Sequence, residues 1–151
     1  MEKQAVKLYL GKGTTLEILF SNGVTKSYDV LKLASKYPQL NELKNRKLFL
    51  NGRLFGSSVV IWNDELDLDS EVVYEDGETI ENKDDAVEAI LGYQIKQARL
   101  KKQMTQAQLS EMIDIDQADL SKIENGRLCP SLSTVKRIAK GLDVVINISI
   151  I

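Results

Sequence analysis

At 151 residues, with 43% hydrophobic and 28% charged content, the chain has a globular composition and room for one ordinary domain or two small ones. Histidine is absent and Cys129 is the only cysteine, which removes the commonest general base and metal ligand, any internal disulfide and any histidine-activated thiol. No apolar run approaches the roughly 18 residues of a membrane span, and the opening MEKQAVKLYLGKG lacks a signal peptide's apolar stretch.

These exclusions leave a cytosolic protein with no catalytic residues, no metal and no cofactor as the expectation. Cys129, beside Pro130, reads as a packing residue. Charge is unevenly spread. Residues 1–85 hold 11 Lys and Arg against 15 Asp and Glu, net −4, whereas residues 86–151 hold 9 against 7, net +2. Residues 64–85 alone carry eleven acids and one base, Lys83. That run reads as a solvated face and linker that repels nucleic acid, with a domain boundary at residues 78–85.

In chain order, AVKLYL and TLEILF alternate apolar and polar residues and predict strands. Ser21, Asn22 and Gly23 predict a hairpin turn, because Asn and Gly tolerate positive φ, and VTKSYDV returns as the partner strand. Over residues 30–37 the apolar positions Val30, Leu31, Leu33, Ala34 and Tyr37 fall at helical spacing, with Pro38 as the stop. A second strand region is predicted in KLFLNGRLFGSSVVIWN, turning at Asn51 and Gly52. The segments LFSNGVTKSYDV and VVIWNDELDLDSEVVY, with Leu43 and Phe49 between them, resemble a small bacterial α+β domain family of unknown function. The likeness spans about residues 6–77 and implies no activity; NDE stands where such domains often have a glycine-containing turn. Trp62 and Tyr74 are read as core aromatics rather than ligand contacts.

From Asp85 the period becomes helical. Ala86, Ala89, Ile90, Tyr93, Ile95, Ala98 and Leu100 form the predicted apolar stripe, in a helix that starts or bends at Gly92. TQAQLSEMI begins with a capping box, Thr105 and Gln108, and predicts a short helix to about Ile113. DIDQADLSKIENG follows, with Asp114, Asp116 and Asp119 crowded at its start. With Asp116 as N-cap accepting from the amide of Asp119, the acids oppose the positive pole of a helix, and Asp114 caps amides of the preceding turn. Gly126 ends that helix. SLSTVKRIAKGL predicts a last helix, capped by Ser131 or Ser133, with Leu132, Val135, Ile138, Ala139 and Leu142 inward.

Two short capped helices joined by a tight turn and flanked by longer ones make a helix-turn-helix. The motifs TQAQLSEMI, LSKIENG and PSLSTVKRIAKGLDV occur in order without gaps, and residues 91–143 resemble the Cro and phage-repressor (Xre-type) family. The resemblance implies double-stranded DNA as partner and a role for each matching position. Gln106 would bond a phosphate and brace the reading helix. Gln117 would read adenine, Ala118 would meet a thymine methyl and Lys122 would reach guanine. Asn125 and Arg127 would contact phosphate, the first through its backbone amide. Arg99 and Glu124 would form a buried ion pair, and breaking such a pair costs about 3–5 kcal/mol. Asp119 departs from the family, standing where relatives often carry a small hydroxyl residue, so weaker DNA affinity is expected.

DVVINISII closes the chain as a β-branched run whose strand must be paired by a second subunit, by the N-terminal sheet or by another protein. The expected architecture is a small α+β domain at 1–80, then an all-α, lambda-repressor-like helix-turn-helix domain at 86–151 with a terminal strand. The expected function is sequence-specific DNA binding by a homodimeric transcriptional repressor whose N-terminal domain binds a protein or small ligand. The alternative is an antitoxin-like interaction module that holds a partner protein and autoregulates its operon.

Overall fold

A computed structural model describes residues 3–147 and divides into two compact units, one reaching Ala86 and the other starting at Val87. In chain order the first unit holds strands β1 (Ala5–Leu10), β2 (Thr15–Phe20) and β3 (Thr25–Asp29), then the short helix α1 (Arg46–Phe49). Strands β4 (Arg53–Phe55), β5 (Val59–Asn63) and β6 (Leu66–Asp69), helix α2 (Ser70–Asp76) and strand β7 (Glu78–Ile80) follow. One sheet has the order β1-β2-β3-β7 and the other the order β4-β5-β6, with antiparallel pairing throughout. Alternation in β2 buries Leu16, Ile18 and Phe20, which share one core with Val30, Leu43, Phe49, Val60, Trp62 and Val73. Trp62 is a core residue, its Nε1 donating to the carbonyl of Phe49 at 3.0 Å. Tyr74 meets Phe20 edge-on at 4.9 Å and accepts from Asn22 Nδ2 at 2.9 Å.

Three expectations for this unit are corrected. Val30–Leu33 forms a 3-10 turn capped by Asp29, and Pro38 opens a second 3-10 helix, Pro38–Lys44, instead of stopping one. Proline's fixed φ suits a first helical turn, while Tyr37 before it takes a non-helical conformation. KLFL is not a strand: Asn45 caps α1 by accepting from Leu48 N at 3.3 Å, and the helix drives Phe49 into the core against Trp62. Asn51 and Gly52 therefore join α1 to β4 and turn no hairpin.

The acidic run is the third correction, because it is folded and not a linker. In β6, Leu66 and Leu68 point into the core while Asp67 and Asp69 are exposed. The turn before it needs no glycine, since Asn63 Oδ1 accepts from the amides of Glu65 and Leu66 at 2.9 and 3.0 Å. Asp69 caps α2, and β7 pairs with β3. Beyond β7, Asn82 bonds Thr25 Oγ1 and the carbonyl of Gly23, and Asp85 accepts from Tyr9 Oη at 2.6 Å and from Lys7 Nζ. Lys7 and Tyr9 hold the Asp85 carboxyl below the usual carboxylate range. Burial first, and then the bond to Asp85, push the Tyr9 phenol up.

The second unit is helical: α3 (Ala86–Lys101), α4 (Gln106–Ile113), α5 (Gln117–Glu124) and α6 (Leu132–Leu142). Its core is Ile95, Leu109, Ile113, Leu120, Ile123, Ile138 and Leu142. Helix α3 runs unbroken through Gly92; of the predicted stripe Ala86, Ala89 and Ile95 are buried and Ala98 packs against the core, while Leu100 is exposed and Leu91, outside the stripe, packs inward. Leu132 is exposed as well, and Ser131, not Ser133, caps α6 by accepting from Thr134 N at 3.1 Å. Cys129 is exposed, so it is no packing residue. Of the expected terminal strand, residues 144–147 have no regular secondary structure and residues 148–151 lie outside the described residues.

Candidate nucleic-acid interface

The pair α4–α5 is built by local capping. Thr105 Oγ1 accepts from Gln108 N at 3.0 Å and Gln108 Oε1 accepts from Thr105 N at 2.8 Å, a closed capping box that starts α4. Helix α4 stops at Asp114, which is left-handed with φ 54° and ψ 53°. Aspartate tolerates that region better than most residues. Asp114 thus acts through its backbone and not as the amide-capping side chain expected from the sequence. Asp116 is the N-cap of α5, but it accepts from Ala118 N at 2.8 Å and not from Asp119.

Helical geometry sorts the side chains of α5. At about 100° per residue, Gln117, Ser121, Asn125, Ala118 and Lys122 fall within an arc of about 140°. Gln117, Ala118, Lys122 and Asn125 are exposed, as is Arg127 beyond the helix. Leu120, Ile123 and Glu124 are buried, Leu120 and Ile123 on the far side of the helix and Glu124 about 20° from Gln117 at the edge of the arc. Asp119 lies beside this arc, about 60° past Lys122, with Oδ1 at 3.8 Å from Lys122 Nζ. The acids at the start of α5 therefore flank the exposed amide, methyl and ammonium groups and do not interrupt them.

Behind that face the helix is held firmly. Arg99 Nε donates to Glu124 Oε1 at 2.6 Å and Nη2 to Oε2 at 3.0 Å, both side chains almost wholly buried. Arg99 Nη1 also bonds the carbonyl of Met104 at 2.7 Å, tying α3 to the start of α4. Half-buried Gln106 donates Nε2 to Glu124 Oε2 at 2.8 Å, which braces α4 against the end of α5 and leaves one amide hydrogen for an outside acceptor. Gly92 permits the closest approach. A Cβ there would stand 2.2 Å from the carbonyl oxygen of Ile123 and 2.8 Å from that of Glu124. Gly126, with φ 69°, closes α5 against Ala89, where a Cβ would meet backbone at 2.8 Å.

Asn125 departs from the role its position implies. Its backbone amide bonds Ser121 O at 3.1 Å and its Nδ2 bonds the same carbonyl at 2.8 Å. With both of its donors turned to Ser121, Asn125 leaves Arg127 as the exposed cation at this end. The structure also engages a residue that the sequence did not single out. Arg137 of α6 donates Nη2 to the carbonyls of Ile113 and Asp114, where α4 ends and the turn to α5 begins. Its position among the other cations of TVKRIAK gives no sign of that contact. Among the described residues no group of His, Cys, Asp or Glu is placed to hold a metal, and no helix is long and apolar enough to cross a membrane.

Residues 95–145 match the family model described as helix-turn-helix. Over 58 residues, 38% of this chain, the sequence is 36% identical to the ImmF control region 10 kDa protein of Bacillus phage phi105. The chain spans 64% of that relative's length. Among solved structures, the restriction-modification controller protein C.AhdI from Aeromonas hydrophila aligns with 36% of this chain and 83% of its own, at 24% identity and a TM-score of 0.36. A putative DNA binding protein from Nitrosomonas europaea aligns with 91% of this chain and 85% of its own, at 15% identity and a TM-score of 0.42. The C-terminal part of the chain, by its sequence and its paired capped helices, resembles the Cro and phage-repressor family of helix-turn-helix proteins.

Proposed function

We propose that the second unit binds double-stranded DNA in a sequence-specific way, with α5 in the major groove, and that the protein is a transcriptional repressor. The observation that carries this reading is the exposed arc of α5, which offers an amide, a methyl and an ammonium group on a helix fixed from behind by the Arg99–Glu124–Gln106 network. Those are the groups that suit base edges: a glutamine for adenine, a methyl for thymine and a lysine for guanine. Gln106 and Arg127 would make the phosphate contacts, which orient the helix without reading sequence. The similar phage protein is named for a control region, which favours a regulatory role here.

A two-fold pair of chains would present two copies of α5 to a palindromic site about one helical turn apart, roughly 34 Å. The first unit would serve a protein or small ligand, because exposed Asp64, Glu65, Asp67 and Asp69 repel phosphate. Selection of bound fragments from random duplex DNA, repeated at several salt concentrations, tests the proposal. A recurrent palindromic motif is expected. Recovery of fragments with no common sequence would refute it.

A further inference from the structure

The last carbonyls of a helix have no partner within the helix itself. At the end of α4, those of Ile113 and Asp114 accept from Arg137, a residue of α6. Asp114 is non-glycine in a left-handed conformation, and two residues later Asp116 starts α5. The direction of α5 is thus set by a turn of a few residues, and one guanidinium holds the α4 end of it. That guanidinium also lines a cleft with Asp114, Asp116, Asp119, Ser131 and Thr134, where it is the cation among three carboxylates.

The geometry points to Arg137 as a positioning residue for the reading helix. By holding both carbonyls it fixes the left-handed turn that aims α5, and it offsets the acids crowded at the start of α5, without itself touching DNA. This rests on the proposal that α5 reads DNA. Three kinds of side chain are thereby distinguished: base readers on the arc, phosphate contacts at its ends, and a third that acts only through the turn. Each leaves a different signature, since a base reader alters preference at one base pair and a phosphate contact alters the salt slope. A positioning residue does neither. Its loss lowers the ratio of specific to random binding with the salt slope intact.

The test compares wild type, Arg137→Met and Arg137→Lys on the selected site and on random duplex, across a salt series and well below the unfolding midpoint. Arg137→Met is expected to weaken the selected site by about fivefold, the factor that one charge at a helix end supplies. Random-duplex affinity and the salt slope should be unchanged, and Arg137→Lys should restore most of the loss. Hydrogen exchange without DNA should show faster exchange at the amides of residues 115–118 in Arg137→Met. Equal losses on both duplexes, with a slope smaller by about 0.9, would make Arg137 a phosphate contact and overturn the inference. Full affinity accompanied only by a lower melting temperature would reduce it to a stabilising residue, which also overturns it. Unaltered exchange would remove the clamp whatever the DNA data. A wild-type protein that selects no sequence would overturn the DNA-reading function and this inference with it, whereas loss confined to the Arg137 signature leaves that function standing.

Discussion

Replacing Gly92 by alanine reverses an ordinary expectation. In an exposed helix interior, Gly→Ala gains about 1 kcal/mol from helix propensity. At Gly92 the added Cβ would lie 2.2 Å from the Ile123 carbonyl oxygen, 2.8 Å from the Glu124 carbonyl oxygen and 3.0 Å from the Glu124 carbonyl carbon. All three atoms are backbone, so no rotamer change relieves the contact, and α3 has to move away from the end of α5. Overpacking of this kind costs about 1–3 kcal/mol, and contact with a rigid carbonyl belongs at the upper end. After the propensity gain, the net effect is a destabilisation of about 2 kcal/mol. Urea unfolding measures it with two probes. Trp62 lies in the first unit, so its fluorescence follows that unit, while helical circular dichroism follows mainly the second. The dichroism midpoint should fall and the fluorescence midpoint should stay. A helical transition that is unchanged or shifted to higher urea would refute the close approach of α3 to α5.

Asp119→Ser should tighten DNA binding by roughly threefold, because it removes a charge beside the phosphates and frees Lys122, while helix stability drops by about 0.3–1 kcal/mol. Unchanged affinity in a titration would show that the acid is remote from the backbone of the bound DNA. Asp85→Asn should lower the stability of the first unit at neutral pH. The bonds from Lys7 and Tyr9 depress the Asp85 carboxyl, so its contribution is complete above the unfolded value of 3.8 and fades as pH falls through the lower folded value. Unfolding curves of variant and wild type should therefore converge in acid, and a gap that stays constant from neutral to acid pH would refute the assignment. Light scattering should give twice the mass of one chain at the concentrations where the selected site is bound, and a monomer with full affinity would contradict the two-fold arrangement.

Much of the helical unit was legible because its ends are written in local chemistry. Thr105 with Gln108, Asp116, Ser131 and Gly126 each act within four residues of their own position, which is the range that sequence patterns report. Contacts between distant segments were less accessible. Gly92 looked like a weakness in a helix because its neighbour, the end of α5, lies some thirty residues away. Arg137 sits among ordinary surface cations, and nothing local marks it as the partner of two carbonyls on α4. The three apolar residues of KLFL fit a strand or a helical turn equally well, and the cap at Asn45 decides for the turn. The acids of residues 64–85 suggested a solvated linker, yet Leu66, Leu68 and Val73 between them are enough to fold the segment, leaving the charges on its outer face.

The most direct test concerns Gln117, which lies at the start of the exposed arc and carries the clearest expected base preference. Affinities of wild type and Gln117→Ala should be measured on the selected site and on every single-base variant of it. The proposal predicts a loss of about 1–3 kcal/mol on the selected site, with preference flattened at one base pair in each half-site and kept at the others. Retention of every base preference, or a uniform weakening on all sequences like that expected for Arg127→Ala, would contradict the reading of DNA by α5.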